Sequence, residues 1–201
     1  PHHLGMKFDA IVSNPPYSKS WEGKNNTILI NDVRYSPAGV LAPIQRSDLA
    51  FTMHMLYHLS ETGTCAIVEF PGVLYRGGAE KKIREYLIKN NFVDTVIQLP
   101  ANLFFGVGIA TCIIVIKKNK KDNNILFVDA SEECEKKGDK NKLEDENQNR
   151  IVNAYQERKE EQYFTKLVSN DEVLANGANL SVSSYVEKED KREVIDIVAL
   201  N

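Results

Sequence analysis

Short apolar runs closed by proline, glycine or asparagine recur along this chain and alternate with segments of helical period. Phe8 to Ser13 (FDAIVS) is apolar and β-branched at its centre and is stopped by two prolines, the pattern of a strand buried on both faces. After a long polar stretch from Tyr17 to Pro43, a helix is predicted from Ser47-Asp48, with Leu49, Met53, Leu56 and Tyr57 as its stripe and an end near Gly63. Cys65 to Phe70 is a second buried-strand pattern. Ala79 to Asn90 is amphipathic, with Ile83, Leu87 and Ile88 on one side and Lys81, Lys82, Arg84 and Glu85 elsewhere. Strands follow at Phe92–Leu99, Thr111–Ile116 and Ile125–Asp129. Strand and helix in alternation predict an α/β layered sheet. The last strands lack helices between them, which predicts an antiparallel pair at the sheet edge.

Beyond Asp129 the pattern weakens. Ser131 to Asn149 is charged and nearly devoid of apolar residues, and reads as a solvated linker or surface loop. Ile151 to Glu161 is a predicted helix, and Tyr163 to Val186 is mixed. The expected division is therefore 1–130, a linker at 131–149, and a helical or mixed appendage at 150–201.

Composition changes this picture only by exclusion. The 25 basic and 28 acidic side chains leave a net charge of −3, so no broad basic surface grips nucleic acid unaided. The longest largely apolar run, Ile109 to Ile116, falls far short of the roughly 20 residues that span a bilayer. No charged-then-apolar leader opens the chain. Cys65, Cys112 and Cys134 share no short spacing, which fits neither a disulfide framework nor a zinc site. A reduced cytoplasm and no membrane partner are expected. The chain opens at Pro1 and enters a strand pattern within a few residues, as expected of a trimmed start or a piece of a longer protein.

The candidate chemistry lies at Asn14-Pro15-Pro16-Tyr17, directly after the first strand. In open α/β sheets, ligands bind beyond the carboxyl ends of strands. Asn14 brings an amide, the prolines fix the backbone and offer carbonyls without competing N–H groups, and Tyr17 brings a flat ring with a polar tip. A rigid acceptor pair beside an aromatic platform suits an exocyclic amine on a nucleobase. The adenine N6 amine is a poor nucleophile because its lone pair is delocalised into the ring. Acceptors at Asn14 and the Pro15 carbonyl would draw its hydrogens toward tetrahedral geometry and aim the lone pair at an electrophilic methyl group. Stacking on Tyr17 would hold a base extruded from the duplex.

Blander readings stand beside these. Asn-Pro and Pro-Pro are ordinary turn formers, and Asn-Pro-x-Tyr also resembles a docking signal for phosphotyrosine-binding-type domains. His54 and His58 lie four apart on the predicted helix, but without a third ligand they read as partly exposed helix histidines. Gly106-x-Gly108 precedes a strand rather than a helix N-terminus, so it is no phosphate loop. Arg76-Gly77-Gly78 reads as a turn before the next helix, and the lysines at 117–121 as a solvated strand end. No metal site is expected.

Over most of its length the chain resembles the modification subunit (HsdM) of type I restriction–modification systems. The resemblance runs through FDAIVSNPPYS at 8–18, SDLAF at 47–51, VLYRGGAEKKIREYLI at 73–88, VIQLPANLFFGVGIATCIIVIKKNK at 96–120, FVDAS at 127–131 and NKLEDENQNRIVNAYQERKEEQYF at 141–164. It implies an S-adenosylmethionine-dependent, Rossmann-like adenine-N6 methyltransferase acting on double-stranded DNA with separate specificity and restriction subunits. Residues 1–130 would then be the C-terminal half of the catalytic domain. Asn14, Pro15, Pro16 and Tyr17 would bind and activate the target adenine, with Phe104-Phe105-Gly106-Val107-Gly108 in support. Tyr17, Val107 and Ser184 stand where the family often has Phe, Thr and Arg. In the family the glycine loop and acidic residue that bind the cofactor lie upstream of the Asn-Pro-Pro-Tyr segment. This chain is therefore expected to lack the main cofactor loop, and to be inactive alone. The alternatives are a stand-alone adenine or glutamine-directed methyltransferase using the same tetrapeptide, or a non-catalytic assembly scaffold.

Overall fold

The computed structural model describes residues 3–104 and 108–189. In chain order its elements are β1 (Phe8–Ser13), α1 (Thr27–Ile30), α2 (Asp48–His58), β2 (Leu59–Glu69), α3 (Ala79–Lys89), β3 (Val93–Gln98), β4 (Cys112–Lys117), β5 (Asn124–Asp129), β6 (Glu135–Lys137), β7 (Lys140–Lys142), α4 (Asp145–Glu157), β8 (Thr165–Ser169) and α5 (Asn170–Ala175). Six strands form one sheet in the order β1-β2-β4-β3-β5-β8. β1, β2, β3 and β5 run one way, while β4 and β8 run antiparallel to their neighbours. The α/β architecture agrees with the sequence, but the antiparallel edge strand β8 comes from the 163–186 stretch, which carries no strand pattern. β4 does not lie at an edge: it inserts between β2 and β3, where its apolar residues are covered on both sides.

Alternation along each strand divides the interior. One core gathers Leu49, Met53 and Leu56 of α2, Ile83, Leu87 and Ile88 of α3, and the strand residues Cys65, Ile67, Ile114, Ile116, Ile125 and Phe127. The opposite face holds a smaller core in which Ile97, Leu126 and Val128 meet Ile151 of α4 and Phe164. Each fully buried aliphatic side chain contributes about 1.5–3 kcal/mol, so the larger core dominates the stability of the fold.

Several boundaries differ from the sequence reading. α2 ends at His58, and β2 begins at once at Leu59, so Gly63 lies inside the strand rather than ending the helix. A Cβ at Gly63 would meet the Phe8 carbonyl oxygen at 2.9 Å and Leu59 Cδ1 at 2.7 Å. Only glycine lets β2 pass β1 there, beside the register shift between Phe8 and Ala10. β1 itself is not buried on both faces. Among the described residues it lies at the edge of the sheet, with Val12 85 % and Phe8 40 % exposed. An apolar run reports that a strand is greasy, not what lies beside it.

The segment at 131–149 is not an uninterrupted linker: β6 and β7 form a hairpin, and α4 starts at Asp145 behind a capping box between Glu144 and Asn147. Within 150–201, β8 returns to pair with β5, so part of the expected appendage belongs to the main sheet. Arg84 is also not on a solvent face. It is 1 % exposed and donates from Nε to the Ala178 carbonyl at 2.7 Å and from Nη1 to the Val73 carbonyl at 2.8 Å. Burial lowers its pKa to about 10.

Candidate functional site

The Asn14-Pro15-Pro16-Tyr17 turn leaves the carboxyl end of β1, the end at which Ser13 pairs with Ile67 and β2 finishes at Glu69. Pro15 is buried, Asn14 and Pro16 are exposed, and Tyr17 is half-buried. The two prolines bring no N–H of their own to claim the local carbonyls. Tyr17 folds back so that its hydroxyl donates to Asn14 Oδ1 at 2.7 Å. The acceptor that chemistry on an amine would use is thus held by the phenol, one hydrogen bond away from release. Burial, followed by repulsion that any ionisation of Glu69 or Cys112 would add, raises the Tyr17 pKa, so the phenol keeps its proton.

The residue after the tetrapeptide is unusual. Ser18 has φ 50°, the left-handed region in which a residue with a Cβ is strained. Its N–H donates to Asp48 Oδ1 at 2.8 Å. Next to it, the Ser47 N–H donates to the Lys19 carbonyl at 3.0 Å, and further along the Trp21 N–H donates to the Ile44 carbonyl at 2.9 Å. The two ends of the long polar stretch after Tyr17 are therefore laced together at the start of α2.

Beneath the turn lies a buried polar group that the sequence reading missed. Glu69 is wholly buried at the end of β2 and accepts from Thr52 Oγ1 of α2 at 2.9 Å. Burial pushes its carboxyl up to about 8; the Thr52 bond opposes the shift, and repulsion from Asp48 and Glu80 adds to it. Glu69 Oε2, Asp48 Oδ2, Ser47 Oγ and Thr111 Oγ1 are buried without a hydrogen-bond partner among the described residues. Cys112 sits beside Glu69, its thiol 3.5 Å from the Glu69 carbonyl, and burial drives its pKa upward. Cys65, on the same face of β2, is pushed up to about 12. Neither thiol is a nucleophile in this setting.

Other candidates resolve structurally. Phe105, Gly106 and Val107 of the supporting loop lie outside the described residues, while the Phe104 carbonyl accepts from Lys140 at 3.2 Å. His54 and His58 meet edge to face at 4.6 Å; His54 faces Arg34, and His58, buried rather than partly exposed, lies 3.0 Å from the Met6 carbonyl. No group of three or more His, Cys, Asp or Glu among the described residues could hold a metal ion. Gly78 opens α3 with φ 67°, and Arg76 lies over the Phe70 ring and 3.6 Å from Glu80. The lysines after β4 are not simply solvated. Lys117 pairs with Asp94, Lys118 with Glu61, and Lys120 donates to the Val93 carbonyl with its pKa lowered by burial to about 8. Ser184 accepts from Asn179, and Tyr185 stacks on Phe127 at 4.3 Å. No helix among the described residues is long and apolar enough to cross a membrane.

A mixed sheet with four strands in one direction, layered with helices and carrying an acceptor-bearing, proline-fixed turn at the carboxyl end of a strand, is a methyltransferase-type α/β arrangement. Residues 1–194 match the N-6 DNA Methylase family, and the chain belongs to it. It is 48 % identical over 195 residues to the methylase subunit of the type I restriction enzyme MpnII of Mycoplasma pneumoniae, covering 96 % of this chain and 36 % of that protein. It is 34 % identical over 203 residues to the MjaVII methylase subunit of Methanocaldococcus jannaschii, covering 95 % and 34 %. A type I methyltransferase subunit from Streptococcus thermophilus superimposes with a TM-score of 0.89 at 40 % identity, covering 93 % of this chain and 40 % of that one. The chain thus spans about a third of the length of these curated relatives.

Proposed function

We propose that this chain forms the target-base side of a type I restriction–modification adenine-N6 methyltransferase. The observation that carries the reading is the Tyr17 hydroxyl bonded to Asn14 Oδ1 in a proline-fixed turn at the end of β1. An extruded adenine would displace the Tyr17 hydroxyl from Asn14, leaving that oxygen and the Pro15 carbonyl to accept the two N6 hydrogens. The ring of Tyr17, freed of its bond, would stack on the base and offset part of the few kcal/mol of extrusion. Orientation and preorganised acceptors, rather than a strong base, supply the rate enhancement. Pro16 keeps the turn from relaxing.

S-adenosylmethionine supplies the methyl group in this proposal. The double proline after β1 offers neither the N–H donors nor the glycines of a phosphate-type loop. No contact with the cofactor is therefore assigned to this turn. Double-stranded DNA is the proposed substrate, specificity and restriction subunits are the proposed partners, and the cytoplasm is the proposed location. Residues 1–130 are the proposed catalytic portion, with β8 of 150–201 completing its sheet.

The test is methylation by the full-length enzyme assembled with its specificity subunit. Asn14→Ala should abolish N6-methyladenine formation while leaving cofactor affinity intact. Undiminished methylation by that variant would overturn the reading. Methylation of a glutamine-containing protein instead of DNA would favour the glutamine-directed alternative.

A further inference from the structure

We propose that Asp48 is a positioning residue for the target-base turn: its carboxylate clamps Ser18 in a left-handed conformation and so sets the direction of the Tyr17 ring. This inference rests on the proposed base-binding role of the tetrapeptide and adds to it a residue from a different element.

Three observations carry it. Ser18, at φ 50°, immediately follows Tyr17, and a residue with a Cβ does not hold that conformation without outside support. The support is a buried one. Asp48 is 1 % exposed, and its Oδ1 receives the Ser18 N–H at 2.8 Å. Asp48 is itself immobilised, because it is the first residue of the 11-residue helix α2, where the free N–H groups favour a carboxylate. One turn along the same helix, Thr52 is bonded to the wholly buried Glu69 at the end of β2. The chain of contacts therefore runs from the sheet through Glu69 and Thr52 to the first turn of α2, and from Asp48 to the backbone that carries Tyr17. The bond between Ser47 and Lys19 runs parallel to it and keeps the register.

An N–H pointing elsewhere at Ser18 would rotate the preceding peptide plane and swing the Tyr17 ring away from Asn14. The clamp matters little to the existence of the site and much to its geometry. Its loss should therefore appear in turnover rather than in folding or cofactor binding.

The variants are Asp48→Asn, which keeps the Oδ1 acceptor; Asp48→Ala, which removes it; and Asp48→Ser, which still suits a helix start but is too short to reach Ser18. They are placed in the full-length methyltransferase with its specificity subunit. Methylation kcat and KM, S-adenosylmethionine affinity, and fluorescence of DNA carrying 2-aminopurine at the target position are measured. Asp48→Ala and Asp48→Ser should lose about tenfold or more in kcat, with cofactor affinity unchanged and the stacking quench of 2-aminopurine weakened. Asp48→Asn should stay near wild type. Should the alanine variant fail to fold, the serine variant decides. Wild-type turnover by Asp48→Ser, or equal loss in Asp48→Asn and Asp48→Ser, overturns the proposal. So does a fall in cofactor affinity that parallels kcat. Should Asn14→Ala also methylate normally, the base-binding reading fails with it; should Asn14→Ala be dead and Asp48→Ser active, only the clamp fails.

Discussion

Replacing Glu69 by Gln should stabilise the chain at neutral pH and change little in acid. Glu69 is wholly buried, and burial moves its carboxyl from an ordinary 4.5 to about 8 in the folded chain. Asp48 and Glu80 reinforce the shift and the Thr52 hydroxyl opposes it, while Tyr17, Cys65 and Cys112 all feel the group's charge. The folded state thus keeps a proton that the unfolded chain has already released. Wherever the folded state binds more protons, stability falls as pH rises, so wild-type stability declines between 4.5 and about 8 and is level above that. Each unit corresponds to about 1.4 kcal/mol. From 4.5 to neutrality, the penalty approaches about 3 kcal/mol as an upper bound. Gln has the shape of the neutral acid, can still accept from Thr52, and has no proton to lose. Its amide N–H groups also offer a donor to the buried region where Asp48 Oδ2 lacks one. Urea unfolding followed by the fluorescence of Trp21, the single tryptophan, at about pH 5 and about pH 7.5 would report the difference. The gain from Glu69→Gln should be small at the lower pH and larger at the higher. A gain of equal size at both, or none at the higher pH, refutes the assignment of a neutral buried Glu69.

Other perturbations probe other parts of the fold. Tyr17→Phe removes the bond to Asn14 Oδ1 but keeps the ring, so base extrusion should become easier by about 2- to 10-fold in a 2-aminopurine titration. Loss of methylation by that variant would mean that the phenol does more than occupy Asn14. Arg84→Met strands the Ala178 and Val73 carbonyls and should lower unfolding free energy by about 2–4 kcal/mol; an unchanged urea midpoint would contradict the staple. Calorimetric titration of this 201-residue chain with S-adenosylmethionine should show no tight stoichiometric binding, and a clear one-to-one isotherm would overturn the expected lack of the main cofactor loop.

The strands were the most legible part of the sequence, because short apolar runs with proline or asparagine at their ends admit few other structures. β3, β4 and β5 appear within one or two residues of their predicted bounds. Their order was not legible. Nothing local in Cys112–Lys117 distinguishes a strand at an edge from one inserted between β2 and β3, since both bury the same side chains. The exposure of β1 escaped for the same reason. The tetrapeptide at 14–17 was visible as an acceptor-rich turn, but the bond that closes Tyr17 over Asn14 is a property of three-dimensional reach.

The buried polar residues were not legible as such: Arg84 was placed off the apolar side of its helix, and Glu69 passed as part of a buried strand without a role of its own. Position already argued otherwise. Glu69 follows Cys65 and Ile67 at spacings of two, so on a strand it shares their covered face. Arg84 lies three and four residues before Leu87 and Ile88, and four after Glu80, so the helix turns all of them the same way. A charge at such a position is costly unless it is paired or neutralised. Arg84 meets that demand with two carbonyls, and Glu69 meets it by holding its proton and taking the Thr52 bond. Asp48 follows the same logic from the helix terminus, where the bland role of starting α2 concealed a contact to Ser18 from 30 residues away in sequence. For Arg84 and Glu69, periodicity places the residue and its chemistry conflicts with the place. That conflict is where this fold keeps the contacts that shape its candidate site.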